Sequence, residues 1–322
     1  MPSDASPPLS PEVIERLHRN LVRRKRRALI MALPLLLLAG FSFAGAIAEP
    51  RRLGSLAFFA VVVVALVAQI GHDWWALRRT DPLLLNEPDP HVEAQRRTDL
   101  FVHEARSALV RPYATFALTG AILAVTAVQF LWAPTATSLE ASGLIKPAVR
   151  AGEWWRLFTA SFMHRSIMHV VANAGLLLML GRLIEIYNRR LRLPLVYLLS
   201  VIGGALLTTF TFPQPAVGAS GGILGLAGYL MVIAGRPTAA TPEWIRRRML
   251  TILGIAALTG TAAYYFFDNA THAGGAITGA LLGLALPPAQ PSDPFDRIDM
   301  AGAIAAVILA AGAVLTMVRL LG

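Results

Sequence analysis

The sequence predicts an all-α, polytopic membrane protein in which long apolar helices form a bundle. Hydrophobic residues make up 55% of the 322 residues and charged residues only 15%, whereas a soluble domain carries about 25% charged residues. The mean hydropathy is +0.57. The apolar residues collect in runs of roughly 20, the length that crosses a bilayer. Because the hydrocarbon core offers the backbone no water to bond, such runs fold as helices.

We expect about nine membrane spans. Two precede a polar stretch, six follow it, and one ends the chain: 28–48, 53–71, 113–132, 167–187, 193–212, 217–235, 249–267, 272–288 and 300–318. This spacing predicts a basic cytosolic tail (1–27), two accessory transmembrane helices (28–77), a cytosolic linker (78–112), a six-helix core (113–288) and a cytosolic link with a C-terminal helix (289–322). Within the core, the segment 134–166 is expected at the membrane interface, where Trp154, Trp155 and Arg156 suit an anchor.

The basic residues predict the orientation of the spans. With the N-terminus in the cytosol, 22 of the 29 Lys and Arg residues fall on the cytosolic side, as the positive-inside rule favours. The net charge of +10 is thereby explained by topology, so we expect a lipid bilayer around the protein and no nucleic-acid partner. The Arg-rich cytosolic loops suit a bacterial inner (plasma) membrane.

The chain contains no cysteine, which excludes disulfides, thiolate nucleophiles and thiolate metal sites. His164 and His169 lie five residues apart, but neither Cys nor a carboxylate cluster accompanies them, so they do not form a convincing metal site. We therefore predict no metal and no cofactor.

Few polar side chains remain inside the apolar runs, and these are the first candidates for function. They form three groups: His169 with Asn173, Ser220 within 218–222, and His272 within 268–275. Each group lies near the start of a span that runs inward from the non-cytosolic side. We therefore expect all three at a similar depth, a little below the outer surface.

Glycines indicate that two of these spans pack closely. They recur at three- or four-residue spacing: Gly218, Gly221 or Gly222, Gly225 and Gly228 in one span, and Gly275, Gly279 and Gly283 in the other. Small residues at this spacing let helix backbones approach in lipid, and His272 shares the helix face of Gly275. We expect Ser220 and His272 on facing surfaces of two packed helices.

This arrangement suits nucleophilic catalysis. A serine hydroxyl becomes a nucleophile when a base takes its proton, and a neutral imidazole suits that role. His169 and Asn173 share a helix face and can both donate to an oxyanion, as can the amide of Ser220 at a helix N-terminus. Asp268, one turn before His272, is the only acidic candidate to orient the imidazole, so we expect a Ser–His dyad rather than a triad.

The same residues are also compatible with roles outside catalysis. A lone serine in a membrane helix usually bonds to a carbonyl of its own helix. His169 with Asn173 suits a hydrogen bond between helices, and His272 suits a proton relay in a transporter. A transporter, however, predicts internal repeats with broken helices and a charged site at mid-membrane, and the sequence has neither.

The order and spacing of these residues resemble the rhomboid family of intramembrane serine proteases over about residues 113–288. The matching motifs are Gly152-Glu153-Trp154-Trp155-Arg156-Leu157-Phe158-Thr159 followed by His164, His169, Asn173, Gly181 and Glu185; then Gly218-Ala219-Ser220-Gly221; then His272, Gly275 and Gly279.

The resemblance implies that Ser220 is the nucleophile and His272 the general base of a serine endopeptidase. It implies an oxyanion hole formed by His169, Asn173 and the amide of Ser220, and a structural His164 at the outer end of the same helix. Further structural residues near the site would be Trp155, Arg156, Gly218, Gly221, Gly275 and Gly279. The implied substrates are transmembrane proteins, cut where small residues let a substrate helix unwind, at a site that water reaches from the outer side.

The chain departs from the family pattern at Leu224, four residues after Ser220, where many members have an aromatic residue that stacks on the histidine. An alternative function is that of a catalytically inactive rhomboid-like protein that binds transmembrane clients. The presence of both Ser220 and His272 argues against it, because such relatives usually lack one or both. The oligomeric state and the role of the three helices outside the core are not predicted.

Overall fold

The computed structural model describes residues 103, 110–133, 135–236, 241–262, 268–287, 289–291 and 293–322. All of them belong to the unit Pro90–Gly322. The predicted tail 1–27, the accessory helices 28–77, most of the linker 78–112 and the last part of the span 249–267 lie outside the described residues.

The described part of the chain is built from helices, with a single isolated β-bridge between Leu144 and Ala216. The helices in chain order are α1 Tyr113–Trp132, α2 Thr135–Ser142, α3 Lys146–Arg150, α4 Arg156–Thr159, α5 Ile167–Tyr187, α6 Arg192–Thr211, α7 Ser220–Ile233, α8 Glu243–Ala262, α9 Asn269–Ala285 and α10 Arg297–Leu321. A 3₁₀ turn, Ala160–Phe162, follows α4.

Among these helices, α1, α5, α6 and α10 are long and apolar enough to cross a membrane, and α7 is a shorter apolar helix. The predicted all-helical membrane bundle is thus confirmed. Helix α7 is shorter than its predicted span, with bounds Ser220–Ile233 instead of 217–235. Other helices start early because their first turns are polar. Helix α8 begins at Glu243 rather than 249, and α9 begins at Asn269 rather than 272, because the side chain of Asp268 accepts the amide of Thr271 and caps the helix. A capping box of Asp296 and Asp299 likewise starts α10 at Arg297, three residues early.

Helix α7 lies at the centre of the described bundle, packed against α5, α6, α8 and α9. Its residues from Gly221 to Leu230 are all buried. A 14-residue helix is about 21 Å long and a 20-residue neighbour about 30 Å. Helix α7 is thus shorter than α6, and its first residue, Ser220, is half-buried.

Glycines bring α7 and α9 into backbone contact. A Cβ added at Gly275 would collide with the carbonyl oxygen of Gly221, and one at Gly279 with that of Gly225. The residue numbers of the contacting pairs rise together along both helices, from Gly221 with Gly275 to Gly225 with Gly279. Helices α7 and α9 therefore run in the same direction. Their first turns, which carry Ser220 and His272, therefore lie side by side.

The segment 134–166 folds around Arg156, whose side chain is buried. The guanidinium of Arg156 donates to the carboxylate of Glu153 at 2.8 Å and to the carbonyls of Gly143 and Glu140 at 2.9 and 3.0 Å. The amide of Gly218 donates to the carbonyl of Ala160 at 2.9 Å. This last hydrogen bond ties the folded segment to the chain that leads into α7.

Helix α10 packs against α1 and α6. Its first turn bears Asp299, which pairs with Arg189. Near its other end the guanidinium of Arg319 lies 3.7 Å from the ring centroid of Trp155, and Arg156 lies 4.4 Å from the same centroid. The C-terminal helix is thus fastened to the bundle near both of its ends.

Candidate active site

Ser220 and His272 are hydrogen-bonded to each other. Ser220 is the first residue of α7 and His272 lies in the first turn of α9. The Oγ of Ser220 and the Nε2 of His272 are 2.8 Å apart. This distance is short enough for a proton to pass directly from the hydroxyl to the imidazole.

Gly218 brings the chain before Ser220 against the first turns of α5. Its φ of +130° is one that residues with a side chain rarely adopt. A Cβ at this position would lie 2.7 Å from Cε1 and 2.9 Å from Nε2 of His169, and 3.7 Å from Nδ2 of Asn173. The structure therefore brings the side chains of His169 and Asn173 close to Gly218, two residues before Ser220.

His164 supports this side of the site. Its Nε2 lies 3.0 Å from Nδ2 of Asn173 and its Nδ1 lies 3.1 Å from Oγ1 of Thr126, while its ring meets that of His169 edge-on at 5.0 Å. Burial, and then the neighbouring His169, lower the pKa of His164 to about 3, so the ring is neutral at pH 7. The sequence placed His164 on the outer end of the helix of Asn173, but it lies in the loop before α5, which begins at Ile167.

The partners of His164 define its tautomer. The amide of Asn173 can only donate through Nδ2, so Nε2 of His164 accepts and Nδ1 carries the proton. That proton goes to Thr126, whose hydroxyl in turn donates to the carbonyl of Phe162 at 3.3 Å. One N–H of Asn173 is thus used to hold its side chain.

Thr126 and Gln129 contact His164 and are not among the site residues predicted from the sequence. Gln129 donates to the carbonyl of His164 and accepts its amide, both at 2.9 Å. Both residues are buried in α1, three positions apart on one helix face. Polar residues at helical spacing within an apolar span, of which Gln129 is the most polar, were the signal that could have identified them.

Asp268, the acidic candidate near His272, is held by three other groups. Its carboxylate accepts the hydroxyl of Thr208 at 2.6 and 2.7 Å, the ammonium of Lys146 at 3.2 Å and the amide of Thr271 at 3.0 Å. Burial by itself would raise the pKa of Asp268, but the Thr208 hydrogen bonds and the charge of Lys146 outweigh it, and the pKa lies below its usual value. For Lys146 burial lowers the pKa, and the charge of Asp268 opposes that effect.

Gly221 and Leu224 both lie on α7 after Ser220. A Cβ at Gly221 would lie 2.8 Å from Cγ2 of Thr271, so Gly221 lets α7 pass close to the turn that precedes His272. Leu224 is buried, one turn after Ser220 on the same face of α7. Among the described residues, no group of three or more His, Asp and Glu side chains is close enough together to hold a metal ion.

Comparison with known proteins identifies the family. Residues 151–289 match the model of the Rhomboid domain. The chain is 30% identical to RHOMBOID-like protein 6, mitochondrial, of Arabidopsis thaliana over 213 aligned residues. This alignment covers 58% of this chain and 67% of the Arabidopsis protein. The chain belongs to the rhomboid family. It is an integral membrane protein with the helical bundle described above.

Two further relatives extend the comparison across organisms. This rhomboid is 30% identical over 209 residues to Rhomboid-related protein 2 of Mus musculus, covering 59% of this chain and 68% of the mouse protein. It is 34% identical over 143 residues to Rhomboid protease GluP of Bacillus subtilis (strain 168), covering 44% of this chain and 28% of that protein. The chain thus spans about two thirds of some relatives and much less of others, and the bacterial relative is a protease by name.

Proposed function

We propose that this rhomboid is an intramembrane serine endopeptidase in which Ser220 is the nucleophile and His272 the general base. The observation that carries the proposal is the 2.8 Å hydrogen bond between Oγ of Ser220 and Nε2 of His272. It joins a hydroxyl and an imidazole inside a bundle of apolar helices, where polar side chains are expensive to keep. The family membership and the protease among its bacterial relatives support the same activity.

The reaction follows from this pair. His272 takes the proton of Ser220 as the oxygen attacks the carbonyl carbon of a peptide bond, and the tetrahedral adduct forms. The protonated His272 then gives its proton to the leaving amine, the peptide C–N bond breaks, and an acyl-enzyme remains on Ser220. Water, deprotonated by His272, hydrolyses the ester and restores the hydroxyl. No cofactor takes part.

The negative oxygen of the adduct needs hydrogen-bond donors. The amide of Ser220 is one, since the first amides of a helix have no acceptor within it, and the second N–H of Asn173 and the ring of His169 are the others. All three border the Gly218 turn. The N-terminal end of α7 adds the positive end of its helix dipole to the same point.

The substrates in this proposal are transmembrane proteins, cut in or near their membrane segments where an unwound stretch exposes a peptide bond. Residues 113–288 would form the protease core, with 134–166 at the outer interface and the N-terminus in the cytosol. A bacterial inner membrane is the compartment that the charge distribution favours. The helices outside 113–288 would be accessory to the reaction itself.

The test is proteolysis of a model transmembrane substrate in reconstituted membranes. Ser220→Ala or His272→Ala is expected to lower the cleavage rate by at least about 10³-fold, because each removes one half of the dyad. A fluorophosphonate probe should label Ser220 in the wild-type chain and leave Ser220→Ala unlabelled. Cleavage that is unchanged in both variants would contradict the proposal. Absence of both cleavage and labelling in the wild type would favour the inactive, client-binding alternative.

A further inference from the structure

A buried polar cluster lies one helical turn before His272. Its centre is the carboxylate of Asp268, which receives hydrogen bonds from Thr208 of α6, from Lys146 of α3 and from the amide of Thr271. The side chain of Lys146 is fully buried and that of Asp268 is 15% exposed. Three separate elements thus meet at one carboxylate.

Asp268 controls the start of the helix that carries His272. Its side chain caps α9 through the amide of Thr271, and its carbonyl accepts the amide of His272 at 3.1 Å. The first turn of α9 is therefore fastened to Asp268 by both its side chain and its backbone. These two hydrogen bonds connect the carboxylate of Asp268 to the backbone that bears His272.

Lys146 connects the same carboxylate to the chain that leads to the nucleophile. Its ammonium donates to the carbonyl of Gln214 as well as to Asp268. Gln214 lies in the stretch between α6 and α7, six residues before Ser220. The buried ammonium of Lys146 therefore connects the segment before Ser220 with the start of α9, the helix that carries His272. Burial of an ammonium is costly unless it is paired and hydrogen-bonded, and both conditions are met.

We propose that Lys146, Asp268 and Thr208 are positioning residues that hold the first turn of α9 in register with the chain before Ser220 and so keep His272 at hydrogen-bond distance from the serine. This proposal rests on the proposed proteolytic function. The cluster acts through His272 and its helix, so its loss affects the chemical step and leaves the binding of a small probe unchanged.

The first experiment uses the full chain in lipid nanodiscs. It measures how fast a fluorophosphonate probe inactivates the protein at several probe concentrations. These kinetics separate kinact, the rate constant of the chemical step, from KI, the constant for probe binding. Thr208→Val keeps the shape of the side chain and removes its hydroxyl, and Asp268→Asn removes the charge. Lys146→Met removes the bridge. Each is expected to lower kinact by about 10- to 100-fold, since a misplacement of 1 Å can cost about 10²-fold, with KI within about twofold of the wild type.

Two matched variants control for a general loss of packing. Thr208→Ser retains the hydroxyl and should keep kinact within about twofold of the wild type. Arg150→Gln removes the hydrogen bond of 2.6 Å from α3 to the carbonyl of Thr209 on α6, which touches the same two helices but not Asp268, and should also stay within about twofold. The proposal is overturned if Thr208→Val and Asp268→Asn keep the wild-type kinact, or if Thr208→Ser loses as much as Thr208→Val.

The second experiment does not depend on activity. Hydrogen–deuterium exchange of the peptide that contains residues 269–275 is compared between Ser220→Ala and the double variant Ser220→Ala with Thr208→Val. We expect exchange at least about tenfold faster in the double variant, because the helix cap has lost a partner. Unchanged exchange would overturn the positioning role. If the probe fails to label the wild type while exchange still responds, the proposed proteolysis fails and the positioning of α9 stands.

Discussion

Gly218 is the residue on which the geometry beside Ser220 most directly depends. It has a positive φ of +130°, and its backbone lies close to the ring of His169. A left-handed backbone costs a residue with a side chain about 1–3 kcal/mol. In addition, a Cβ at this position would lie only 2.7 Å from Cε1 of His169. Backbone freedom and lack of a Cβ are both needed here.

We predict that Gly218→Ala lowers the rate of substrate cleavage by at least about tenfold and the free energy of unfolding by about 1–3 kcal/mol, because His169 and the turn must move apart. Both quantities are measured on the purified chain, by cleavage of a model substrate and by thermal unfolding. Gly175→Ala is the control. It lies on α5 with His169, no atom lies within 4 Å of an added Cβ, and it should retain activity. Equal activity of both variants would contradict the role of Gly218.

At the scale of elements, the contact between α7 and α9 determines whether the dyad can form. Gly221 and Gly225 on α7 face Gly275 and Gly279 on α9 with no room for a Cβ. In a membrane, where lipid tails compete equally well for apolar side chains, close backbone packing is what drives two helices together. The distance between the helices in turn sets the distance between Ser220 and His272.

We expect Gly279→Ala to destabilise the protein by about 1–3 kcal/mol, since its methyl group would collide with the carbonyl of Gly225 and push the helices apart. Cleavage should fall as well, even though Gly279 is seven residues from His272. The readouts are the midpoint of thermal unfolding in detergent and the rate of substrate cleavage. Gly254→Ala on α8, where an added Cβ meets no atom within 4 Å, should be neutral or slightly stabilising. A neutral Gly279→Ala would show that the helices can adjust.

Helix α10 is a second element whose attachment can be tested. Asp299 is 1% exposed, pairs with Arg189 and closes the capping box with Asp296. Asp299→Ala removes this partner of Arg189, whose side chain is only 10% exposed. We expect the substitution to lower the free energy of unfolding by about 2–4 kcal/mol. Asp293→Ala removes an exposed carboxylate that accepts the amide of Gln290 and should change stability by less than about 0.5 kcal/mol. Equal melting temperatures would mean that the ion pair does not hold α10.

For the whole molecule, the structure explains the basic residues that the charge rule leaves on the outer side. Those within the described residues all have structural contacts, with acidic groups, backbone carbonyls or an aromatic ring: Lys146, Arg150, Arg156, Arg165 and Arg319. The positive-inside rule concerns charges that remain in solvent beside the membrane. Basic residues engaged in the fold therefore do not argue against the proposed orientation.

The chain has no cysteine, so single cysteines can report the orientation directly. We predict that Ala151→Cys, in the exposed part of the segment 134–166, reacts with a membrane-impermeant maleimide in right-side-out vesicles. Asp293→Cys, in the exposed link before α10, should react only after permeabilisation. Both positions are exposed, so accessibility differs only through the membrane. The reverse pattern would place the N-terminus outside and contradict the proposed topology.

Much of the fold could be predicted from the sequence because hydropathy acts locally. The bounds of α1, α5 and α6 differ from the predicted ones by at most one residue, since an apolar run and its polar ends define a membrane helix. The early starts of α8, α9 and α10 were missed because polar residues form the first turns of these helices. A hydropathy pattern assigns such residues to the preceding loop. The parity of the spans predicted a common depth for the polar residues of the site, and the packing of α7 against α9 brings Ser220 and His272 together.

The sequence by itself identified the class of the protein and its family and singled out its polar residues, since these follow from composition, periodicity and short motifs. The tertiary structure decided which of those residues meet. The pairing of Lys146 with Asp268 joins residues 122 positions apart, and Thr126 and Gln129 reach His164 from a different helix. Such contacts depend on the packing distance and rotation of helices, which many side chains determine together and no local pattern encodes.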